Sequence, residues 1–523
     1  MIDFIKDRWA LFLVLVIFII CKIPHLSYPY CWDEGFPYAA AIRAMYAHGA
    51  SLMPSAIDPE LSRGHPLLFH AAAVTWMNIF GTSHMAMHSF SLCTSVLFLA
   101  AIYETGLRMY NRQVALLVLL LIATLMIFFI QSAFVLLEIP LAFLCFISLV
   151  CYVNRKYVPT ALCLTAAFYT KESGLVLGVV LGIDAVIGLF TNSEKRRDRI
   201  CRLLSVVIPC LLAAAFFLVQ KHEMGWYIFP LHNDYIKHDW YSIWSGFRMN
   251  CIRASFDLVS KQYYFLLLLF ISLLAAARNR DVRYLAPFIP AAIIYLLVDD
   301  RRGGDIKFSF ILLALFIAAI VYMGYLLRKL KIYNDKRQES FIVLSAAFVF
   351  LFLCFSSMSV FIYRYLLASI IPLFFILGVI IEKFVERTSS YLYYPVLLLI
   401  LTISYFSFKT DRNLSDFEPG AFAAMNVQQK EVDFLEHEDA YNKPIACGSF
   451  LTREHLTDPA TGYLRGPQYF GQVKWGVDPA TIFVVFNDID HDYRYAEVSK
   501  DTSFHMVYRY ADDMAWTEIY KRR

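Results

Sequence analysis

Charge is scarce in this chain. Only 17% of its 523 residues are Asp, Glu, Lys or Arg, 59% are hydrophobic, and the mean hydropathy is +0.54. No soluble domain has enough interior to hide that much apolar surface, so a soluble globular protein is excluded. Internal repeats and low-complexity tracts are lacking, which sets aside solenoids and linker-rich chains. There is no sustained basic and aromatic surface, and nucleic acid is excluded as a partner. The 11 cysteines lack zinc-type spacing. Most, such as Cys145, Cys151 and Cys210, sit in apolar runs; Cys31, Cys251 and Cys447 lie in polar stretches, compatible with one external disulfide but not requiring it. Finally, Lys6 and Arg8 precede the apolar run Trp9 to Ile20, but no small-residue cleavage site follows. That segment is expected to be an uncleaved first helix rather than a signal peptide.

What is present is a succession of apolar runs divided by charged clusters. Candidate spans fall near 9–26, 85–105, 113–131, 136–153, 157–170, 173–190, 203–220, 261–277, 284–298, 306–327, 341–357, 366–382 and 391–408. The expected fold is an all-α polytopic membrane protein with about thirteen crossings, residues 1–408, followed by a small α/β extracytoplasmic domain, residues 409–523. In that last region a β-like run (Thr481 to Phe486), a loop-rich stretch (Gly462 to Gly471) and an alternating end (Phe504 to Tyr520) replace the long apolar runs.

The run Pro66 to Phe80 decides topology, because its crossing or not crossing sets the side of every later loop. If it lies in the outer interface, the clusters Arg108–Arg112, Arg155-Lys156, Lys195–Arg202, Arg278–Arg283, Arg328–Arg337 and Lys383–Arg387 all share the side of the N-terminus. This is the positive-inside pattern, and it puts the N-terminus in the cytoplasm of a plasma (inner) membrane. Only Arg301-Arg302 runs against it. The polar segments left outside are then 27–84, the turns around Glu138, Lys171-Glu172 and Arg364, the loop 221–259, and everything after Lys409.

Chemistry-bearing residues gather in those outer segments. Trp32-Asp33-Glu34-Gly35 follows the first span, and a pair of carboxylates at a membrane surface costs too much desolvation to be packing filler. Either acid also suits a helix cap, although a cap accounts for only one of them. The chain returns to the membrane through Arg63-Gly64-His65-Pro66-Leu67-Leu68. Further on come Leu137-Glu138-Ile139-Pro140, Thr170-Lys171-Glu172-Ser173-Gly174 and Tyr363-Arg364-Tyr365-Leu366-Leu367. Lys171 is also a plausible snorkelling interfacial lysine, Arg364 a helix-end anchor, and Glu138 a structural partner of either cation. His222, His232 and His238 share a loop with Glu223, Asp234 and Asp239, but their spacing fits no standard metal site.

In order and side, these motifs resemble the GT-C glycosyltransferases that use polyprenyl-phosphate sugars, a group containing protein O-mannosyltransferases (glycosyltransferase family 39) and the lipid A aminoarabinose transferase. The resemblance covers roughly residues 1 to 380. That family carries an Asp-Glu pair after its first helix, an acid-spacer-proline signature matched by Glu138-Ile139-Pro140, a Thr-Lys-Gly turn to which Thr170-Lys171-Glu172-Ser173-Gly174 is similar, and an Arg-Tyr-Leu-Leu helix start matched by Arg364 to Leu367. The stretch Gly225 to His232 is similar to a loop bordering the family's active site. Two positions depart from the pattern: His65-Pro66 stands where Lys-Pro is common, and Glu138 where Asp is usual.

The resemblance implies sugar transfer from a polyprenyl-phosphate-linked donor to a hydroxyl on a glycan, lipid or protein acceptor, next to the lipid bilayer. Such a transfer needs a base at the acceptor oxygen and cations at the departing phosphate. Asp33, with Glu34, suits the first role; His65, Lys171 and Arg364 suit the second, with Glu138, Tyr365 and Arg63 supporting. No carboxylate is needed to form a glycosyl-enzyme, so a single inverting displacement is expected. No cofactor is expected; a divalent metal is an open alternative and is not predicted. The rival readings are a lipid-linked sugar flippase, which would place ionisable residues at mid-span, and a ligase using a diphosphate-linked glycan.

Overall fold

The computed structural model describes residues 2–190, 195–252, 276, 278–282, 335–360, 362–489, 492 and 494–523. Among them, seven helices are long and apolar enough to cross a bilayer, within Asp7–Ser27, His84–Met109, Glu172–Phe190, Arg196–Met224, Lys336–Ser357, Tyr363–Glu386 and Ser390–Thr410. The protein is an integral membrane protein. Three expected spans, 261–277, 284–298 and 306–327, lie outside the described residues.

Three others are shorter than a full crossing. The run expected at 113–131 is split: Asn111 caps Arg112–Ala123 by accepting from Val114 N at 2.8 Å, that helix stops at Thr124, and a separate turn of helix covers Met126–Gln131. Glu138–Val153 and Tyr157–Thr170 have 16 and 14 residues, roughly 24 and 21 Å of helix against a ~30 Å hydrocarbon core. Leu68–Phe80, the segment that governs topology, has 13 residues and is also short.

Helix faces follow their surroundings. On the first helix Trp9, Phe12, Leu13, Val16, Ile17 and Ile20 form an exposed apolar stripe, while Ala10, Leu11 and Phe18 are buried on the other side. That is the pattern of a helix with one face in lipid. Tyr363–Glu386 is different: 83% of its most apolar window is buried, more than in any other described span, so it is the central post of the bundle.

After Thr410 the chain forms the helix Gly420–His437 and a five-stranded mixed sheet of order β2-β1-β3-β5-β4. Its strands are β1 (Ile445–Cys447), β2 (Val473–Trp475), β3 (Phe483–Asn487), β4 (Phe504–Ala511) and β5 (Trp516–Arg522). β1 pairs in parallel with β2 and β3; β5 runs antiparallel to β3 and β4. One apolar core joins this region to the chain between residues 38 and 69, with Tyr38, Met45, Leu67 and Phe69 in the same cluster as Met425, Ile445, Phe483 and Ile519. Polar contacts fasten the same junction: Tyr30 N donates to Thr461 O at 2.9 Å and Arg43 Nη2 to Asp458 Oδ2 at 2.8 Å. Cys31 and Cys447 are buried free thiols, and the side chain of Cys251 lies outside the described residues.

Candidate active site

Five segments far apart in sequence deliver their charged groups to one place at the end of the bundle. Arg364 opens the central helix and is 2% exposed. Its guanidinium has an acid at each nitrogen: Nη2 pairs with Asp33, Nη1 with Asp416, and Nε lies 3.7 Å from Glu138 Oε1. Glu138, at the first position of its own helix, also accepts from Lys171 Nζ at 3.1 Å. The Lys171 ammonium stands 3.9 Å from the centre of the Tyr365 ring. Burial works against the Lys171 charge, but Glu138, the Tyr365 hydroxyl and Glu172 outweigh it and hold its pKa above the ordinary lysine value.

The turn carrying Lys171 depends on Gly174. A Cβ there would come within 2.8 Å of the Ala167 carbonyl carbon, so only glycine lets the chain fold back onto the helix end and aim Lys171 at Glu138.

A second group adjoins the first through Glu172. His65 Nδ1 bonds Glu172 Oε2 at 2.8 Å, and the His65 ring lies 5.2 Å from that of His232. Burial, and then the neighbouring His65, push His232 down to about 4, so it is neutral at physiological pH. Gly64, at φ +73, sits where a Cβ would meet Trp226 and Phe229 at 3.0 Å; this close approach seats the 62–67 loop on the 226–232 segment. Arg63 adopts a left-handed backbone and lies 5.9 Å from the Phe36 ring, with no carboxylate within 4 Å among the described residues.

Glu34 does not share the space of Asp33. It is fully buried and faces the other way, accepting from Val135 N at 2.7 Å, from Cys31 N at 3.3 Å, and pairing with His88 Nε2 at 2.8 Å. His88 Nδ1 is 2.9 Å from Leu26 O, which can only accept, so the ring donates there. The two acids of the motif thus part company: Asp33, with about a third of its side chain exposed, looks into the site, and Glu34 anchors the turn.

The structure brings together Asp33, Glu138, Lys171, Arg364 and Tyr365, places His65 and Arg63 in the adjoining group, and sets Glu34 behind. Asp416 and Glu172 were not singled out from the sequence. Glu172 was visible as the residue after Lys171; Asp416 lies in an irregular linker without any motif. Of the acids and histidines of the 221–259 loop that lie among the described residues, only His232 reaches the site. Among the described residues no three His, Cys, Asp or Glu groups are arranged to hold a metal ion.

This architecture is the GT-C fold: a helical membrane bundle with its charged centre at one end and a small mixed sheet beyond. By sequence, no family model and no curated protein matches the chain. By structure, it is similar to the crystal structure of ArnT from Cupriavidus metallidurans bound to undecaprenyl phosphate, at 13% identity over 98% of both chains and a TM-score of 0.52. The apo state of the same protein aligns at 15% identity over 97% of both chains with a TM-score of 0.41. The match with the lipid-bound form covers the C-terminal sheet as well as the bundle.

Proposed function

We propose that this chain is a membrane glycosyltransferase that moves a sugar from a polyprenyl-phosphate donor to a hydroxyl-bearing acceptor. The observation that carries the reading is the meeting of Asp33, Glu138, Lys171 and Arg364 at one end of the bundle. A structural neighbour that binds undecaprenyl phosphate supports the choice of donor.

In this reading the acceptor oxygen attacks the anomeric carbon from the side opposite the phosphate. The bond from that carbon to the phosphate oxygen breaks, and its electron pair leaves with the lipid phosphate. Asp33 takes the hydroxyl proton. Lys171 and Arg364 stabilise the charge gathering on the phosphate, Arg364 with its forked donors and Lys171 as a point charge. His65 and Arg63 border the donor headgroup. One displacement inverts the anomeric centre, and no metal or other cofactor is required. The site faces outward, the N-terminus is cytoplasmic, and residues 409–523 form an extracytoplasmic domain that covers the site and helps bind the acceptor.

Consumption of lipid-linked sugar by the purified protein in lipid nanodiscs tests the proposal. Asp33→Asn is expected to stay folded and to lose turnover; normal turnover in that variant would remove Asp33 from the mechanism. Competition by monophosphate but not diphosphate lipids is expected, and the reverse order would favour a ligase.

A further inference from the structure

The cations expected to meet a phosphate are already occupied. Around Arg364 and Lys171 stand three carboxylates, Asp33, Glu138 and Asp416, so the buried centre carries three negative groups against two positive ones. A lipid phosphate brings at least one more negative charge. Like charges a few ångströms apart in a desolvated site repel strongly, so an acid must give way for the phosphate to reach the guanidinium.

The three acids are not equally free to do so. Glu138 is tied to Lys171 at 3.1 Å and begins a helix. Asp33 is needed in place as the proposed base, on a turn whose next residue, Glu34, is locked by His88 and Val135. Asp416 belongs to the irregular stretch between the last span and the helix Gly420–His437. Its backbone is fixed, since Gln131 Nε2 donates to Asp416 O at 2.6 Å and the neighbouring Phe417 ring packs 5.1 Å from Tyr363. Among the described residues its side chain pairs with Arg364, and no other partner holds its two side-chain torsions.

We infer that Asp416 is an internal stand-in for the donor phosphate: it holds the Nη1 corner of Arg364, yields that corner when the lipid phosphate arrives, and displaces the product on its return. Asp416 is a positioning residue in this scheme, acting through Arg364. The inference rests on the proposed donor class and adds to it a route for product release supplied by the C-terminal part of the chain.

The test measures binding of undecaprenyl monophosphate, and of the uncharged polyprenol of equal length, to the full-length protein in nanodiscs, alongside steady-state turnover. Wild type should prefer the monophosphate. Asp416→Asn should bind it about tenfold more tightly, because the competing charge is gone. In the same variant donor KM and kcat should fall together as product lingers, while Asp416→Glu, which keeps the charge, stays near wild type. A merely structural role predicts weaker binding and a raised KM. Asp416→Asn that is folded by thermal melting and binds the monophosphate no more tightly than wild type overturns the inference. If the amide variant does not fold, the smaller neutral Asp416→Ser is read by the same criterion. Equal wild-type affinity for the monophosphate and the polyprenol would instead sink the donor assignment, and this inference with it.

Discussion

The pair Glu138–Lys171 permits a quantitative test of how the site is held together. The two side chains are 1% and 8% exposed and meet at 3.1 Å. Removing one partner of a buried ion pair strands the other charge, which costs about 3–5 kcal/mol. Glu138→Gln keeps the volume and leaves Lys171 facing the Tyr365 ring at 3.9 Å, a contact that recovers part of the loss. A destabilisation of about 3 kcal/mol is expected for it. Lys171→Met leaves Glu138 with Arg364 Nε at 3.7 Å and should cost less, about 1–2 kcal/mol. The double variant strands neither charge, so its cost should fall short of the sum by about 2 kcal/mol. Equilibrium unfolding in mixed micelles across the four proteins of this cycle gives the coupling directly. Additivity to within about 0.5 kcal/mol would refute the claim that the two groups neutralise each other.

Two further predictions concern histidines. His88→Leu removes one of three partners from the buried Glu34 carboxylate and should cost about 1–3 kcal/mol, with reduced turnover because the turn carrying Asp33 loosens; unchanged turnover in a destabilised variant would show that Asp33 does not depend on this anchor. His455, in the helix Phe450–Thr457, is held down to about 3 by burial. Its folded value lies below the unfolded one, so the unfolded chain binds the extra proton between them: this stabilisation is complete above pH ~6.5 and shrinks as pH falls toward 3. Near pH 5 the loss should be about 2 kcal/mol for the C-terminal region, read by hydrogen exchange in β3, and an identical slope in His455→Phe would refute it.

The parts of this molecule visible in its sequence are those governed by short-range rules. Apolar length marks the long spans, and the motifs around Asp33, Glu138, Lys171 and Arg364 mark span ends that share one side. The break at Thr124 is not visible because every residue from Val114 to Ile130, Thr124 apart, is apolar, and hydropathy cannot see a turn buried among other helices. Asp416 escapes for a different reason. Its pairing with Arg364 depends on the linker folding back across that residue, and nothing local to Ser415-Asp416-Phe417 encodes that return. Glu34 shows the converse: adjacency suggested a shared role with Asp33, but consecutive residues in a tight turn point in different directions, and one became the anchor of the other.

The way the helices enter the site explains why it suits an anion despite its three carboxylates. Glu138 opens Glu138–Val153, Glu172 precedes Leu175–Phe190, and Arg364 precedes Leu367–Thr388. All three helices therefore begin at the site and run away from it, so their N-terminal amides and positive dipole ends converge there. Within the chain the acids answer that field: Glu138 and Glu172 sit in first turns, and Asp33 and Asp416 take up the guanidinium. Leaving two cations and three dipole ends bare in so dry a place would carry a heavy desolvation cost. On the proposed reading, a phosphate arriving at the same point would meet a field already built for negative charge and would bind by exchange with an acid. The parallel entry of these helices thus gives the acids their stability here and, on the proposed reading, gives a phosphate the same field.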